Sequence, residues 1–124
     1  MKIYIAHSRE YNYQAELYAP IRHDATLPQA DIILPHEEGY DIQQDRDFYR
    51  QLDLIIAEVS YPAIGLGIEL GWAKDDNVPV VCVYQPQAKV SGSLRAVTGS
   101  FCEYHNADEL IKIIQDQIAH VRSC

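Results

Sequence analysis

The sequence predicts an α/β protein in which helices cover both faces of a five-stranded parallel sheet. Short apolar runs rich in β-branched residues alternate along the chain with segments of helical periodicity. Strands that alternate with helices at this spacing form βαβ units, and such units build parallel sheets. The 124 residues, 48% of them hydrophobic, suffice for one buried core, so a single domain over residues 1–124 is expected.

Five apolar runs predict the strands, at residues 2–7, 31–35, 53–59, 78–84 and 100–104. Their number and alternation indicate a flavodoxin-like or Rossmann-like three-layer sandwich with the strand order 2-1-3-4-5. The first and third strands are then central neighbours, and their carboxyl ends flank one crevice. Ligands bind at such a crevice in open α/β sheets.

The segments between the predicted strands show helical periodicity. Ser8 is a predicted cap for a helix that extends to about residue 22, in which Pro20 indicates a kink or an early end. The other helices are predicted at residues 41–52 (with Phe48, Tyr49 and Leu52 as the apolar stripe), 67–75, 94–98 and from Asn106 or Ala107 onward.

Charge and composition exclude several function classes. The net charge of −8, with no basic run, argues against binding a nucleic acid polymer or an anionic membrane surface. No secretory signal follows Met1 and no apolar run reaches membrane-spanning length, so a soluble cytoplasmic protein is expected. The cysteines at 82, 102 and 124 form no CxxC pair and are interpreted as reduced packing residues.

The stretch from residue 53 to 71 is the strongest candidate for a functional site. A buried strand is followed by Ser60-Tyr61-Pro62, then by Gly65 and Gly67, and then by a helix that carries Glu69. In the first turn of that helix, the dipole and free backbone donors would hold the Glu69 carboxylate ionised, which suits a nucleophile. The alternative is a first-turn glutamate that only stabilises the helix.

A second carboxylate could come from the helix before the third strand. Asp41 and Asp45 lie toward its start, near the crevice, whereas Asp53 lies at the opposite edge of the sheet. Asp45 paired with Glu69 would fit displacement at a glycosidic carbon, with one group as nucleophile and the other as acid and base. The alternative is that these aspartates are solvated surface residues.

Other polar residues lie near the predicted crevice. His7 and His36 each end a strand, and a structural role competes with a functional one for both. Ser8 and Arg9 could bind a phosphate or a sugar hydroxyl, or Ser8 could be an ordinary cap. No His-x-x-His or Cys-His spacing indicates a metal site, so none is predicted.

The segment Asp-Leu-Ile-Ile-Ala-Glu-Val-Ser-Tyr-Pro-Ala-Ile-Gly-Leu-Gly-Ile-Glu-Leu-Gly-Trp-Ala, followed by Val-Pro-Val-Val-Cys-Val-Tyr, resembles the core of the nucleoside 2-deoxyribosyltransferase family. It is most similar to the branch of 2'-deoxynucleoside 5'-monophosphate N-glycosidases. The opening Lys-Ile-Tyr-Ile-Ala-His-Ser also resembles the first strand of that family.

The resemblance implies an N-glycosidase or transferase that forms a covalent glutamyl–deoxyribosyl intermediate without any cofactor. It places the nucleophile on Glu69, the acid and base on Asp45 (with Asp41 or Asp47 as substitutes) and the orienting tyrosine on Tyr4. It places phosphate contacts on Ser8 and Ser93, the latter reaching into the neighbouring subunit of a homodimer. Backbone groups of Gly65 and Gly67 would line the sugar, and His7 is a further candidate for substrate binding.

Two departures from the family pattern bear on the substrate. Ala63 stands where this branch has a serine, and Ser8-Arg9-Glu10-Tyr11 replaces a glycine-rich loop. A deoxynucleoside-type ligand is therefore better supported than a nucleotide, and the acceptor could be water or a second base. Two further hypotheses remain: a TIR-like NAD N-glycosidase and a non-catalytic nucleotide-binding module of the same fold.

Overall fold

The computed structural model describes residues 1–37 and 45–123, and its centre is one five-stranded parallel sheet. The strands are β1 (Ile3–His7), β2 (Ile32–Ile33), β3 (Leu54–Glu58), β4 (Val80–Tyr84) and β5 (Phe101–Glu103). They lie in the order β2-β1-β3-β4-β5. The predicted fold class and strand order are confirmed.

The central strands β1 and β3 pair along their whole length. The register runs from Ile3 opposite Leu54 to His7 opposite Glu58, and all residues of both strands are buried. Strands covered on both faces are apolar almost throughout, which explains the continuous apolar runs in the sequence. The pair His7 and Glu58 therefore marks the carboxyl edge at which a crevice was expected.

The helices lie on the two faces of the sheet. They are α1 (Ala19–His23, preceded by a π-helical turn at Gln14–Tyr18), α2 (Arg46–Arg50), α3 (Ile64–Asp75) and α4 (Ala107–Arg122), with 3-10 turns at Gln29–Asp31 and Gly92–Ala96. Within the described ranges, none of the helices combines the length and the apolarity needed to cross a membrane.

Successive side chains of each strand belong to different layers, and this alternation divides the core into two apolar layers. Ile3 and Ile5 belong to the layer that contains residues of α1 and α4, whereas Tyr4 and Ala6 belong to the layer of α2 and α3. Successive side chains of a strand point to opposite faces, so the sequence alone dictates this division. It places Tyr4 in the same layer as the helix that carries Glu69.

The first helical segment differs from the prediction at its start. The Ser8 hydroxyl accepts a hydrogen bond from the Glu10 backbone N–H at 3.0 Å and so closes a local turn, and the π-helical turn begins only at Gln14. The segment also continues past Pro20, which lies in the first turn of α1. It directly follows the π-helical turn, in which the Ala19 N–H bonds the Gln14 carbonyl, so the proline lies within a continuous helical stretch. A proline lacks an N–H and crowds the preceding turn, and the wider π-helical turn lies at that place.

The third helix begins earlier than predicted, and this changes the position of Glu69. Residues 64–66 already belong to α3, with Ala63 in extended conformation as its N-cap. The sequence predicted a start at Gly67 because glycines often mark turns, but here Gly65 and Gly67 both lie within the helix. Residues 41–44 of the predicted second helix lie outside the described residues, and α2 itself is one short turn after Asp45.

Candidate active site

Glu69 is the sixth residue of α3, so it lies beyond the first turn. The prediction that free backbone donors hold it ionised is therefore wrong, because those donors belong to the first four residues of a helix. Instead, the side chain is half-buried, and this burial raises its pKa to about 7. Removal from water disfavours the charged form of a carboxyl group.

Two tyrosines face Glu69 from neighbouring elements. The Tyr49 hydroxyl, on α2, interacts with the Glu69 carboxylate and opposes the effect of burial on its pKa. Tyr49 also lies 3.4 Å, oxygen to oxygen, from the hydroxyl of Tyr4 on β1. Tyr4 and Tyr49 thus form a pair of buried hydroxyls in the layer of α2 and α3, where the charge of Glu69 adds to the effect of burial in raising the pKa of each.

Aromatic packing fixes the position of the Tyr49 ring. The ring meets Tyr4 edge-on at 5.4 Å and Phe48 edge-on at 5.2 Å, and it lies 5.8 Å from the ring of Trp72. Edge-to-face pairs at these separations are favourable. Sequence reasoning assigned Tyr49 only to an apolar stripe; its spacing of four residues from Asp45 was the available signal, since such residues share one helix face.

Asp45 caps the helix that carries Tyr49. Its carboxylate accepts a hydrogen bond from the Phe48 backbone N–H at 2.9 Å, and the side chain is otherwise exposed. This is the usual role of an N-cap aspartate. The short helix α2 therefore presents Asp45 at its first turn and Tyr49 one turn later, on the same side of the sheet as Glu69.

The other aspartates have different environments. Asp47 is exposed and pairs with Arg50 at 2.9 Å. Asp53 accepts a hydrogen bond from the Lys2 backbone N–H at 2.8 Å, at the amino edge of the sheet, as its position in the sequence predicted. Asp41 lies outside the described residues.

His7 belongs to an aromatic cluster on the opposite face of the sheet. Its Nδ1 lies 2.8 Å from the Ser8 carbonyl oxygen, which can only accept, so Nδ1 carries the proton. Its Nε2 lies 2.6 Å from the Tyr18 hydroxyl, which itself accepts from the His36 backbone N–H. Both ring nitrogens thus have protein partners, and burial lowers the pKa of His7 to about 4.

A small, mostly apolar cavity lies beside the start of α3. Its volume is about 320 Å³, and its lining includes Ala63, Gly67, Ser91 and Ser93. Gly65 and Glu69 are not among the described lining residues. The predicted residues Gly67 and Ser93 therefore meet at one cavity, while Ser8 is buried at the end of β1 with its hydroxyl accepting from Glu10.

Sequence reasoning missed a second buried carboxylate. Glu58, 1% exposed at the end of β3, accepts hydrogen bonds from the Ser60 N–H at 2.6 Å, from the Ser60 hydroxyl at 3.0 Å, and from the Tyr104 hydroxyl. Burial raises its pKa, and these donors oppose that shift. The signal was a single charged residue within an apolar run. Among the described residues, no group of three potential metal ligands occurs.

Comparison with known proteins identifies relatives. No protein-family profile matches the chain. A protein from Trichoplax adhaerens, provisionally named 2'-deoxynucleoside 5'-phosphate N-hydrolase 1, is 38% identical over 97 residues, which cover 71% of this chain and 67% of the relative. A 5-hydroxymethyl-dUMP N-hydrolase from Tetraodon nigroviridis is 32% identical over 82 residues, or 59% of this chain and 55% of that protein.

A third relative, from Syntrophotalea carbinolica, bears the same provisional name as the Trichoplax protein and is 30% identical over 79 residues, or 61% of this chain and 56% of the relative. The matches thus span two thirds of the Trichoplax protein and little more than half of the other two. They confirm the resemblance drawn from residues 53–73. The chain belongs to the family of 2'-deoxynucleoside 5'-phosphate N-hydrolases.

Proposed function

We propose that this protein hydrolyses the N-glycosidic bond of 2'-deoxynucleoside 5'-monophosphates, with Glu69 as the nucleophile. The observation that carries the proposal is the half-buried carboxyl group of Glu69, which lies on α3 within the segment that resembles the family and whose pKa burial raises. The names of the relatives supply the substrate class, since each names a deoxynucleoside monophosphate.

The reaction would proceed in two displacements at the anomeric carbon. A Glu69 oxygen forms a bond to C1' of the deoxyribose as the bond from C1' to the base nitrogen breaks, and Asp45 delivers a proton to the departing base. Asp45 then takes a proton from water, whose oxygen attacks C1' and releases Glu69 as a carboxylate. The products are the free base and deoxyribose 5-phosphate.

The environment of Glu69 suits its two tasks, which are attack on C1' in the first displacement and departure from C1' in the second. Its pKa of about 7 leaves roughly half of the molecules with an ionised nucleophile at neutral pH. A carboxylate that is poorly solvated is also more reactive toward carbon, because less water must be displaced. The kcat/KM of base release should therefore increase as the pH is raised through about 7.

The phosphate end of the substrate would lie at the cavity beside α3. Ser91 and Ser93 supply hydroxyls there, and Ala63 supplies none. Ser8 and His7 have their polar atoms engaged by protein groups, so any contact with substrate would require these bonds to be exchanged. We assign the phosphate contact to Ser93 first, with Ser91 as its neighbour on the same turn.

A homodimer is part of the proposal. The outer side of α3 exposes Ile64 at 86% and Ile68 at 50%, flanked by the exposed Gly65 and Gly71. A Cβ at Gly65, Gly67 or Gly71 would meet no atom within 4 Å beyond its chain neighbours and the backbone of its own helix, so the packing of one subunit gives no steric reason for these glycines. A smooth apolar helix face of this kind favours close contact with a second copy.

A chromatographic assay tests the activity. The protein is incubated with the common 2'-deoxynucleoside 5'-monophosphates, 5-hydroxymethyl-dUMP, the matching nucleosides and NAD, and the released bases are separated. We expect base release from one or more monophosphates and none from Glu69→Gln, which preserves the size of the side chain. Release of nicotinamide alone would support the TIR-like alternative, and binding without turnover would support a nucleotide-binding module.

A further inference from the structure

We infer that Glu58 is a positioning residue: its buried carboxylate completes a ring of hydrogen bonds that fixes the spacing of two loops lining the cavity beside α3. The first loop, residues 59–63, joins β3 to α3, and the second, residues 85–91, follows β4. The ring consists of Glu58, Ser60, Gln85 and Tyr104. The family resemblance assigned a role to none of these residues. The inference rests on the proposed function only for its kinetic consequence.

The ring begins where β3 ends. Glu58 is the last residue of that strand, and one of its carboxylate oxygens accepts from the Ser60 backbone N–H at 2.6 Å. The other oxygen accepts from the Ser60 hydroxyl at 3.0 Å and from the hydroxyl of Tyr104, which directly follows β5. All three residues are buried, so the loss of any of these bonds would leave a polar group without water. Ser60 and Tyr104 are thereby held against the end of β3.

Gln85, the first residue after β4, closes the ring with two N–H groups. Its backbone N–H donates to the Ser60 hydroxyl oxygen at 2.9 Å, and its side-chain amide donates to the Tyr104 hydroxyl oxygen at 3.2 Å. Among the described residues, backbone pairing of β3 with β4 ends with the bond from the Val59 N–H to the Val83 carbonyl, at 2.9 Å. The ring therefore connects the two loops beyond the point at which backbone pairing of their strands ends.

The directions of the bonds are consistent around the ring. The hydroxyls of Ser60 and Tyr104 each accept from Gln85 and each donate to Glu58. Hydrogen bonds connected in this way polarise and strengthen one another. An ionised carboxylate is needed at the end of both chains of bonds, because it accepts and never donates. A glutamine at position 58 would bring two hydrogens of its own toward these donors, and at least one bond of the ring would be lost.

The two loops lead directly to the cavity beside α3. Val59, Pro62 and Ala63 of the first loop line the cavity, and so do Ser91 of the second loop and Ser93 of the turn that follows it. The proposed phosphate contacts at Ser93 and Ser91 therefore lie opposite the start of α3 at a separation that depends on both loops. A connection between the loops preorganises this cavity for binding.

Glu58 acts on the cavity through the loops and not by contact. It is not among the described lining residues, and Tyr104 belongs to the apolar layer of α1 and α4, whereas Val59 belongs to the layer of α2 and α3. Loss of the ring should loosen the cavity and leave Glu69 in place on α3. Binding of a monophosphate should therefore weaken, while the chemical step at C1' should change little.

Hydrogen exchange measured by NMR tests the ring independently of activity. We expect Glu58→Gln and Ser60→Ala to accelerate exchange of the Gln85 amide proton at least about tenfold relative to that of Ile56, in the middle of β3, because local opening then needs one bond fewer. A variant that only lowered global stability would accelerate the exchange of both amide protons by the same factor. Equal acceleration would overturn the inference.

Thr98→Val is the matched control for Ser60→Ala. The half-buried Thr98 hydroxyl also combines two bonds, since it donates to the Val80 carbonyl at 2.8 Å and accepts from the Ser100 N–H at 3.1 Å. Thr98 belongs to neither loop and is not among the described residues that line the cavity beside α3. This control should leave the exchange of the Gln85 amide proton relative to Ile56 as in wild type.

Kinetics with the best monophosphate substrate measure the consequence for binding. Glu58→Gln and Ser60→Ala should each raise KM about tenfold, with kcat changed by less than about threefold. Thr98→Val should match wild type in both constants. A residue that only stabilised the fold would lower the amount of active protein, and hence the apparent kcat, at unchanged KM. That pattern, or no change in either constant, would overturn the inference.

The two proposals fail in distinguishable ways. If wild type releases no base but the difference in exchange appears, the proposed function fails and the connection of the loops by Glu58 stands. If base is released but exchange in Glu58→Gln matches that in Thr98→Val, the inference fails and the proposed function stands. If Glu58→Gln does not fold, as judged by circular dichroism, Ser60→Ala and Tyr104→Phe decide by the same measurements, because each removes part of the ring and keeps the Glu58 carboxylate.

Discussion

At the scale of single residues, burial shifts the pKa values of Glu69 and His7 in opposite directions. His7 is buried and Glu69 is half-buried, and each titratable side chain is thereby moved toward its neutral form. Glu69 retains protons to higher pH than in the unfolded chain, whereas His7 loses them at lower pH. Both groups consequently make the free energy of unfolding depend on pH, but in different directions.

Replacing Glu69 by Gln should stabilise the protein at alkaline pH. The folded pKa of about 7 exceeds the ordinary value of 4.5 for a glutamate in water, so wild-type stability falls as the pH rises between these values. Gln has no charge to bury, and at pH 8 we expect Glu69→Gln to exceed wild type by about 1–3 kcal/mol, a range reduced for partial exposure of the group. Urea unfolding at pH 5 and pH 8 measures this; an equal difference at both values would contradict it.

His7 should make the fold sensitive to acid. Its folded pKa of about 4 lies below the ordinary value of 6.5 for a histidine in water, so its contribution to stability is complete above pH 6.5 and is lost as the pH falls toward 4. The difference corresponds to at most about 3 kcal/mol. His7→Phe should show a flatter decline between pH 6.5 and 4.5 than wild type in urea unfolding, and parallel declines would argue against this role.

At the scale of elements, α2 combines a structural and a chemical task in five residues. Arg46 bonds Asp76 at 3.1 Å and Arg50 approaches the same carboxylate at 3.7 Å, so α2 is attached to the end of α3. Asp45 caps α2 while serving as the proposed acid and base. A helix this short is unstable alone, so its cap and these attachments determine where Tyr49 lies.

The variant Asp45→Asn distinguishes the capping of α2 by Asp45 from its proposed role as acid and base. Asparagine caps helices as well as aspartate, so the free energy of unfolding should change by less than about 0.5 kcal/mol. It cannot donate and accept protons as the proposed mechanism requires, so kcat should fall by about 100-fold or more. Asp45→Ala, by comparison, should lose about 1 kcal/mol of stability as well as activity. Full activity in Asp45→Asn would exclude it as the acid and base.

At the scale of the whole molecule, sequence alone predicts the architecture well. The apolar runs of β1, β3 and β4 and the amphipathic stripe of α4 each follow from burial, and the order of strands follows from their alternation with helices. What could not be predicted depends on contacts between distant residues. The start of α3 at Ile64, the pairing of the Tyr4 and Tyr49 hydroxyls and the network of Glu58 with Tyr104 are set by tertiary packing.

The proposed dimer is also a property of the whole molecule. Ile64→Asp places a charge on the outer side of α3, at a side chain that is 86% exposed and packs little within its own chain. If α3 forms the interface, light scattering after size exclusion should show a dimer for wild type and a monomer for Ile64→Asp, with similar circular dichroism. A wild-type monomer at micromolar concentration, or an Ile64→Asp dimer, would contradict this.

Substitution of the three glycines in α3 can show which positions of this helix contact substrate or a second subunit. Alanine in place of Gly65, Gly67 or Gly71 would meet no atom beyond its chain neighbours and the backbone of its own helix. In a helix interior alanine is more stable than glycine by about 0.5–1 kcal/mol. Replacing each glycine by alanine therefore tests both the stability of the fold and whether turnover or assembly needs the space at that position. Positions where alanine improves stability but impairs turnover or assembly map the footprint of substrate and partner, and positions where it only stabilises offer sites for engineering a more robust protein.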